Sequence, residues 1–209
     1  MLRVGLTGNY GTGKSSVLRM FEEIGAIVID ADKIVDSLLE ERSVLEKMRE
    51  MLGGRIFSED GRLDRVKVAA IIFKESELRD ALEGLLHPLV FQRMEETLRD
   101  VKGEGNIAVI EVPLLFEKGY AGRFDRTITV HAKEESSLRR LEQSGVSRRD
   151  ALMRMRAQMS IEEKRERADY VIDNNGSLDQ TRSQVAEIYG MLSEEPGVAT
   201  KERRFDNEG

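Results

Sequence analysis

A short apolar run, Leu2-Arg3-Val4-Gly5-Leu6-Thr7, leads directly into Gly8-Asn9-Tyr10-Gly11-Thr12-Gly13-Lys14-Ser15. The octet has the form G-x-x-x-x-G-K-S, and its spacing limits what the chain can fold into more than any other feature. Its glycines let the backbone curl without Cβ clashes, so that successive N–H groups converge on an anion. Lys14 then reaches the β- and γ-phosphates of a nucleotide, and the Ser15 hydroxyl can ligate Mg²⁺. Val17, Leu18, Phe21 and Ile24 recur at helical spacing until Gly25. A helix should therefore follow the loop and add its positive N-terminal end to the same site. Strand, loop and helix together predict an α/β protein that binds a nucleoside triphosphate. A glycine-rich turn carrying a surface lysine is the plainer alternative, and it leaves the flanking strand and helix without a purpose.

Further apolar, β-branched runs over 26–30, 107–112, 127–131 and 170–173 join 2–7 as expected strands, separated by helical patterns. That alternation builds a parallel sheet covered on both faces. About seventy-five residues of nearly continuous helical periodicity lie between the second and third strands. This is too much helix for one crossover, so residues 33–105 are expected to form a helical lobe beside a core of 1–32, 106–133 and 168–192. Pro88 should divide the last helical stretch, because the residue before a proline resists helical geometry. Ser147 with Asp150, and Ser177 with Gln180, read as capping boxes. From 193 to 209 the sequence is polar and charged and reads as a disordered tail. At 209 residues with a net charge of −6, the chain lacks the basic face that general nucleic-acid binding needs. It has no cysteine for disulfides, thiol chemistry or thiolate metal sites. No signal peptide is read ahead of the first strand, and no apolar run is long enough for a membrane span, so a cytoplasmic enzyme is expected. No pattern points to an oligomeric state.

A phosphate loop is shared by GTPases, ATPase motors and small-molecule kinases. A GTPase would place an Asp-x-x-Gly directly after the third strand and an Asn-Lys-x-Asp further on, and neither is found there. Asp30-Ala31-Asp32 stands at the carboxyl end of the second strand, which is where ligands bind in open α/β sheets. A carboxylate there can accept a hydroxyl proton from a phosphate acceptor or hold Mg²⁺ through water. Strand alternation would send Asp30 and Asp32 in similar directions, although either acid can instead cap a helix beginning near Lys33. Glu111 ends the third strand, where a metal-side carboxylate can sit. Residues 134–167 turn basic in an otherwise acidic chain and read as a lid whose arginines close over transferred phosphate. A solvated helical face is the alternative. Arg154 and Gln158 lie four apart on one helical face. His87 precedes Pro88 in the lobe, as a substrate contact or a structural residue; His131 reads as structural.

These motifs, in this order, resemble the dephospho-coenzyme A kinase family from Val4 to about Gly176. The resemblance rests on Gly5-Leu6-Thr7-Gly8 with the phosphate loop, Val28-Ile29-Asp30-Ala31-Asp32, Leu63-Asp64-Arg65 and His87-Pro88-Leu89-Val90. Val112-Pro113-Leu114-Leu115-Phe116-Glu117, Arg154 with Gln158, and Lys164 followed by Ala168-Asp169-Tyr170-Val171-Ile172-Asp173-Asn174 complete it. It implies a P-loop kinase fold with three α/β/α layers, a five-stranded parallel sheet, an acceptor lobe and a lid. It also implies phosphorylation of the ribose 3′-hydroxyl of dephospho-coenzyme A by Mg²⁺-ATP, with this small molecule as the partner. Asp32 would then be the catalytic base, with Lys14 and Arg140 stabilising charge. ATP would be held by Gly11, Thr12, Gly13, Lys14, Ser15, Ser16, Arg154 and Asn174, with Mg²⁺ on Ser15. Asp30, Arg65, His87, Pro113 and Leu114 would contact the acceptor. One departure is Gln143-Ser144-Gly145, where the family often has an arginine before an Asp-Gly turn; Arg140 would then carry more of the lid's role. A kinase of a nucleoside or nucleoside monophosphate is the alternative reading.

Overall fold

A computed structural model describes residues 1–100 and 107–195. In chain order the elements are β1 (Leu2–Thr7), α1 (Lys14–Glu23), β2 (Ile27–Asp30), α2 (Ala31–Leu38), α3 (Arg42–Leu52), α4 (Arg65–Lys74) and α5 (Ser76–Asp100). They continue with β3 (Ile107–Glu111), β4 (Arg126–His131), α6 (Glu134–Gln143), α7 (Arg148–Arg156), α8 (Ile161–Arg167), β5 (Tyr170–Asp173) and α9 (Leu178–Glu194). The chain divides into two compact units, one of residues 1–30 with 103–209 and the other of residues 31–102.

The first unit carries the expected five-stranded sheet, every pairing parallel, in the order β2-β3-β1-β4-β5. β1 sits in the middle, with Val4 and Leu6 fully buried. The connections run to one side of β1 through β2 and β3, then to the other through β4 and β5. The carboxyl end of β1 is therefore the point where the winding reverses, and a crevice opens there. Register places Glu111 beside both Leu6 and Asp30 at that end. α1 and α9 cover one face, burying Val17, Phe21, Val185 and Leu192 against Ile128 and Ile172. α8 packs on the opposite face of β4, where Thr129 Oγ1 donates to the Lys164 carbonyl at 3.1 Å.

The second unit is helical. Val44, Met48, Leu52, Ile56, Val68, Leu82 and Leu86 form its core. Asp64 is the N-cap of α4, accepting from the N–H groups of Val66 and Lys67 at 3.0 and 3.1 Å.

Three local expectations need correction. Pro88 does not divide the last helix; α5 runs unbroken from Ser76 to Asp100 with the proline inside it. The carbonyl that loses its donor belongs to Gly84, four residues earlier in the helix. α2 begins at Ala31, so Asp32 lies in a helical first turn and strand alternation with Asp30 does not apply. At Ser147 the box is one-sided. Ser147 accepts from the Asp150 N–H, but the aspartate, one methylene shorter than glutamate, takes the serine hydroxyl at 2.7 Å instead of the backbone N–H. Ser177 and Gln180 do form the reciprocal pair, at 2.8 and 3.2 Å. α9 continues through Glu194, past the start of the expected tail, and residues 196–209 of that tail lie outside the described residues. Ser177→Ala should cost about 1 kcal/mol, lowering Tm by roughly 2–4 °C in thermal unfolding followed by circular dichroism.

Candidate active site

The loop between β1 and α1 turns at Gly11 and Gly13, with φ of 82° and 90°. A Cβ at Gly13 would lie 2.3 Å from Asn174 Nδ2, and one at Gly11 would lie 2.8 Å from Leu141 Cδ1. Both conformation and neighbours therefore demand glycine. No side chain caps α1, and its first turn holds no acid, so its positive end is kept for an anion. Ser15 and Ser16 are exposed at that end.

Inward-facing N–H groups leave carbonyls facing out, and those of Asn9 and Thr12 find donors. The Asn9 carbonyl accepts from Thr12 N at 3.2 Å, Thr12 Oγ1 at 2.9 Å and Lys14 Nζ at 3.3 Å. The Thr12 carbonyl accepts from Asn174 Nδ2 at 2.8 Å and Arg140 Nη1 at 3.2 Å. Arg140 Nη2 donates to the Asn174 carbonyl at 2.7 Å, and Thr181 Oγ1 donates to Asn174 Oδ1 at 2.9 Å, which fixes the amide's orientation. Arg140 and Asn174 thus brace the loop from behind. Its two carbonyl contacts hold the Arg140 guanidinium at the loop.

Lys14 is buried, and its Nζ lies 3.9 Å from Glu111 Oε1. Glu111 is 5% exposed, with Asp30 next to it in register. Among the described residues no group of three or more His, Asp or Glu could hold a metal ion. Mg²⁺ typically keeps most of its waters and takes its protein ligands sparingly, alongside substrate phosphates. Ser15, with Glu111 in the outer shell, fits that manner of binding.

The basic segment meets the loop at its tip. Gln158 Oε1 accepts the Tyr10 N–H at 2.8 Å, and Asn9 Nδ2 donates to the Met159 carbonyl at 3.1 Å. Arg154 lies over the Tyr10 ring, 5.3 Å from its centroid. A cavity of about 510 Å³ opens beside the loop, lined by Asn9, Thr12, His131, Lys133, Met155 and Gln158 among others. Pro113 contributes its carbonyl, which accepts from Thr7 Oγ1 at 3.0 Å and Lys164 Nζ at 3.1 Å. Leu114 beside it is partly exposed. Burial pushes the Lys164 ammonium pKa down, and the Glu117 carboxylate at 2.8 Å pulls against that.

Gly11, Thr12, Gly13, Lys14, Ser15, Ser16, Pro113, Arg140, Arg154 and Asn174 are thus gathered on or around one loop. Asp32, Arg65 and His87 belong to the helical unit. Asp32 lies in the first turn of α2, where the helix dipole favours its carboxylate. Arg65 opens α4 and pairs with Asp36. His87 lies within α5. His131 approaches Asn175 and Asp173, at 3.3 and 3.7 Å, and remains structural. Sequence reasoning gave no role to Asn9, Thr181 or Glu117. Their partners lie 150, 7 and 42 residues away, and only the seven-residue step from Asn174 to Thr181 is local.

A family model for CoaE, dephospho-CoA kinase, matches residues 2–180. The chain belongs to the dephospho-CoA kinase family. The dephospho-CoA kinase of Aquifex aeolicus is 40% identical over 197 residues, covering 94% of this chain and 100% of that one. The dephospho-CoA kinase of Carboxydothermus hydrogenoformans is 39% identical, covering 88% and 91%. Among solved structures, TT1252 from Thermus thermophilus aligns with a TM-score of 0.82 at 36% identity, covering 94% of this chain and 98% of that one. The dephospho-CoA kinase from Campylobacter jejuni aligns at 0.66 and 25% identity, covering 91% and 96%. A shikimate kinase from Bacteroides thetaiotaomicron, 17% identical over 91% of this chain and 98% of its own, shares the fold at a TM-score of 0.50. The dephospho-CoA kinase motifs at 8–15, 113–117, 154–158 and 174 therefore converge in this chain on the mouth of one sheet. Gly13→Ala should leave the protein folded but weaken binding of an ATP analogue at least tenfold by calorimetry, since Asn174 must leave the Thr12 carbonyl to admit the methyl group.

Proposed function

We propose that this chain phosphorylates the ribose 3′-hydroxyl of dephospho-coenzyme A with ATP, giving coenzyme A and ADP, the last step of coenzyme A biosynthesis. The observation that carries this reading is the family match across residues 2–180, on a chain whose phosphate loop has every part that phosphoryl transfer uses. In the reaction a bond forms between the acceptor oxygen and the γ-phosphorus while the bridging β–γ P–O bond breaks. Its electrons leave with ADP, and the hydroxyl proton passes to a carboxylate.

The loop N–H groups and the N-terminus of α1 hold the phosphates in line. Lys14, brought close by Glu111, offers a positive charge where negative charge builds on the leaving group. Ser15, with Glu111 nearby, would hold Mg²⁺, which would supply charge neutralisation at the phosphates. Asp32, in the first turn of α2, orients the 3′-hydroxyl and takes its proton. Gln158 and Arg154 bring the lid to the loop and exclude water, so that the phosphoryl group passes to the acceptor. Asp30, Arg65, His87, Pro113 and Leu114 are assigned to the acceptor. Among the described residues no helix is long and apolar enough to cross a membrane. We assign the reaction to the cytoplasm, where its nucleotide and Mg²⁺ are found.

ADP release should be stimulated by dephospho-coenzyme A and not by a panel of nucleosides and nucleoside monophosphates. Stimulation by a nucleoside alone, or by no acceptor, would refute the assignment. Lys14→Ala and Asp32→Asn should each lower kcat by roughly 10²- to 10⁴-fold with Tm little changed. Near-normal turnover in Asp32→Asn would remove it as the base.

A further inference from the structure

Behind the phosphate loop, on the α8 side of the sheet, one buried ion pair ties the base of the lid to the loop by a closed circuit of hydrogen bonds. Lys164 is 0% exposed, and its Nζ reaches Glu117 Oε1 at 2.8 Å and the Pro113 carbonyl at 3.1 Å. That carbonyl also accepts from Thr7 Oγ1, the last residue of β1. Glu117 Oε1 accepts the Met159 N–H at 3.1 Å, and the Met159 carbonyl accepts from Asn9 Nδ2. Asn9 stands two residues beyond Thr7, so the circuit ends where it began. Met159 is in the short link between α7 and α8, immediately before Ser160, which caps α8 by accepting the Glu163 N–H.

Two features set this pair apart from one kept for stability alone. A buried ion pair is commonly no more stabilising than apolar side chains of the same volume, because both charges are stripped of water. Glu117 Oε2 is buried and has no hydrogen-bond partner among the described residues, a loss that optimisation for stability would remove. What an apolar pair could not supply is direction: an acceptor aimed at one backbone N–H of the lid link. We propose that Glu117 and Lys164 are a pivot that fixes the α7–α8 link over the phosphate loop, making them positioning residues for phosphoryl transfer. Gln158, next to Met159, is thereby held where its side chain meets the Tyr10 N–H. This proposal rests on the kinase reading given above.

The test uses the full chain and reads Tm, kcat, KM for ATP and amide exchange across 148–160. In the unmutated protein the Met159 amide should exchange slowly, and rapid exchange there would overturn the pivot. The double variant Glu117→Leu/Lys164→Met substitutes apolar groups of similar size. It should hold Tm within about 4 °C of the unmutated protein, yet lose at least tenfold in kcat and exchange faster across the lid. Glu117→Gln keeps an acceptor for the Met159 N–H and should retain lid protection and most of the turnover. A double variant with normal Tm, kcat and lid exchange shows that the pair is structural only, and a Glu117→Gln variant that loses lid protection also defeats the proposal. Because exchange is read without an acceptor, failure of dephospho-coenzyme A to stimulate ADP release would sink the kinase reading and leave the pivot to be judged on exchange.

Discussion

A backbone that turns its N–H groups toward an anion must turn its carbonyls away from it, and carbonyls taken from water need donors of their own. Much of the first unit follows from meeting that demand at Asn9 and Thr12. Asn174 and Arg140 converge on the Thr12 carbonyl from the ends of β5 and α6, and Thr181 in the first turn of α9 holds the asparagine in place. The other end of the loop is served by its own Thr12 and Lys14. The loop is therefore a shared boundary on which β5, α6 and α9 all terminate. Its glycines record the same constraint from the other side, since the space their missing side chains leave is occupied by Asn174 and by Leu141.

Strand order turns this local arrangement into a site. With β1 between β3 and β4, the carboxyl end that carries the loop is flanked by Glu111 on one side and by Thr129 and His131 on the other. A positive lysine and a negative glutamate are both buried within reach of each other there, one suited to phosphate and the other to the cation that accompanies phosphate. The acid pair formed by Asp30 and Glu111 in adjacent register would repel bare polyphosphate.

How far the sequence could be read depended on the range of the interaction involved. β1, the phosphate loop and α1 were legible because glycine, lysine and apolar spacing act within a few residues. The remaining strands were found within a residue at each end for the same reason. Pro88 misled because α5 buries Leu82, Leu86, Val90 and Met94 on both sides of it, and packing of that extent overrides a local propensity. Asp32 was assigned to the end of a strand, whereas α2 starts one residue before it. Arg140 was read by its charge, and what it meets is two carbonyls contributed by segments far apart in the chain. Asn9 and Glu117 fell inside recognised motifs but had no role of their own in the sequence, because their contacts reach Met159, 150 and 42 residues along the chain.

The reach of those contacts bears on how the protein comes into being. The loop occupies residues 8–15 and is synthesised before its partners, since β1 pairs, among the described residues, with strands that begin at Ile107 and Arg126. The donors for Thr12 come later still, at Arg140 and Asn174. During synthesis at roughly 5–20 residues per second, the loop must wait many seconds with its carbonyls unmet. A nascent chain cut short before β5 would carry the whole nucleotide motif in its sequence and still lack the walls that shape it. The phosphate loop is thus the first part of the site to be made and among the last to be walled in, when Asn174 reaches the Thr12 carbonyl.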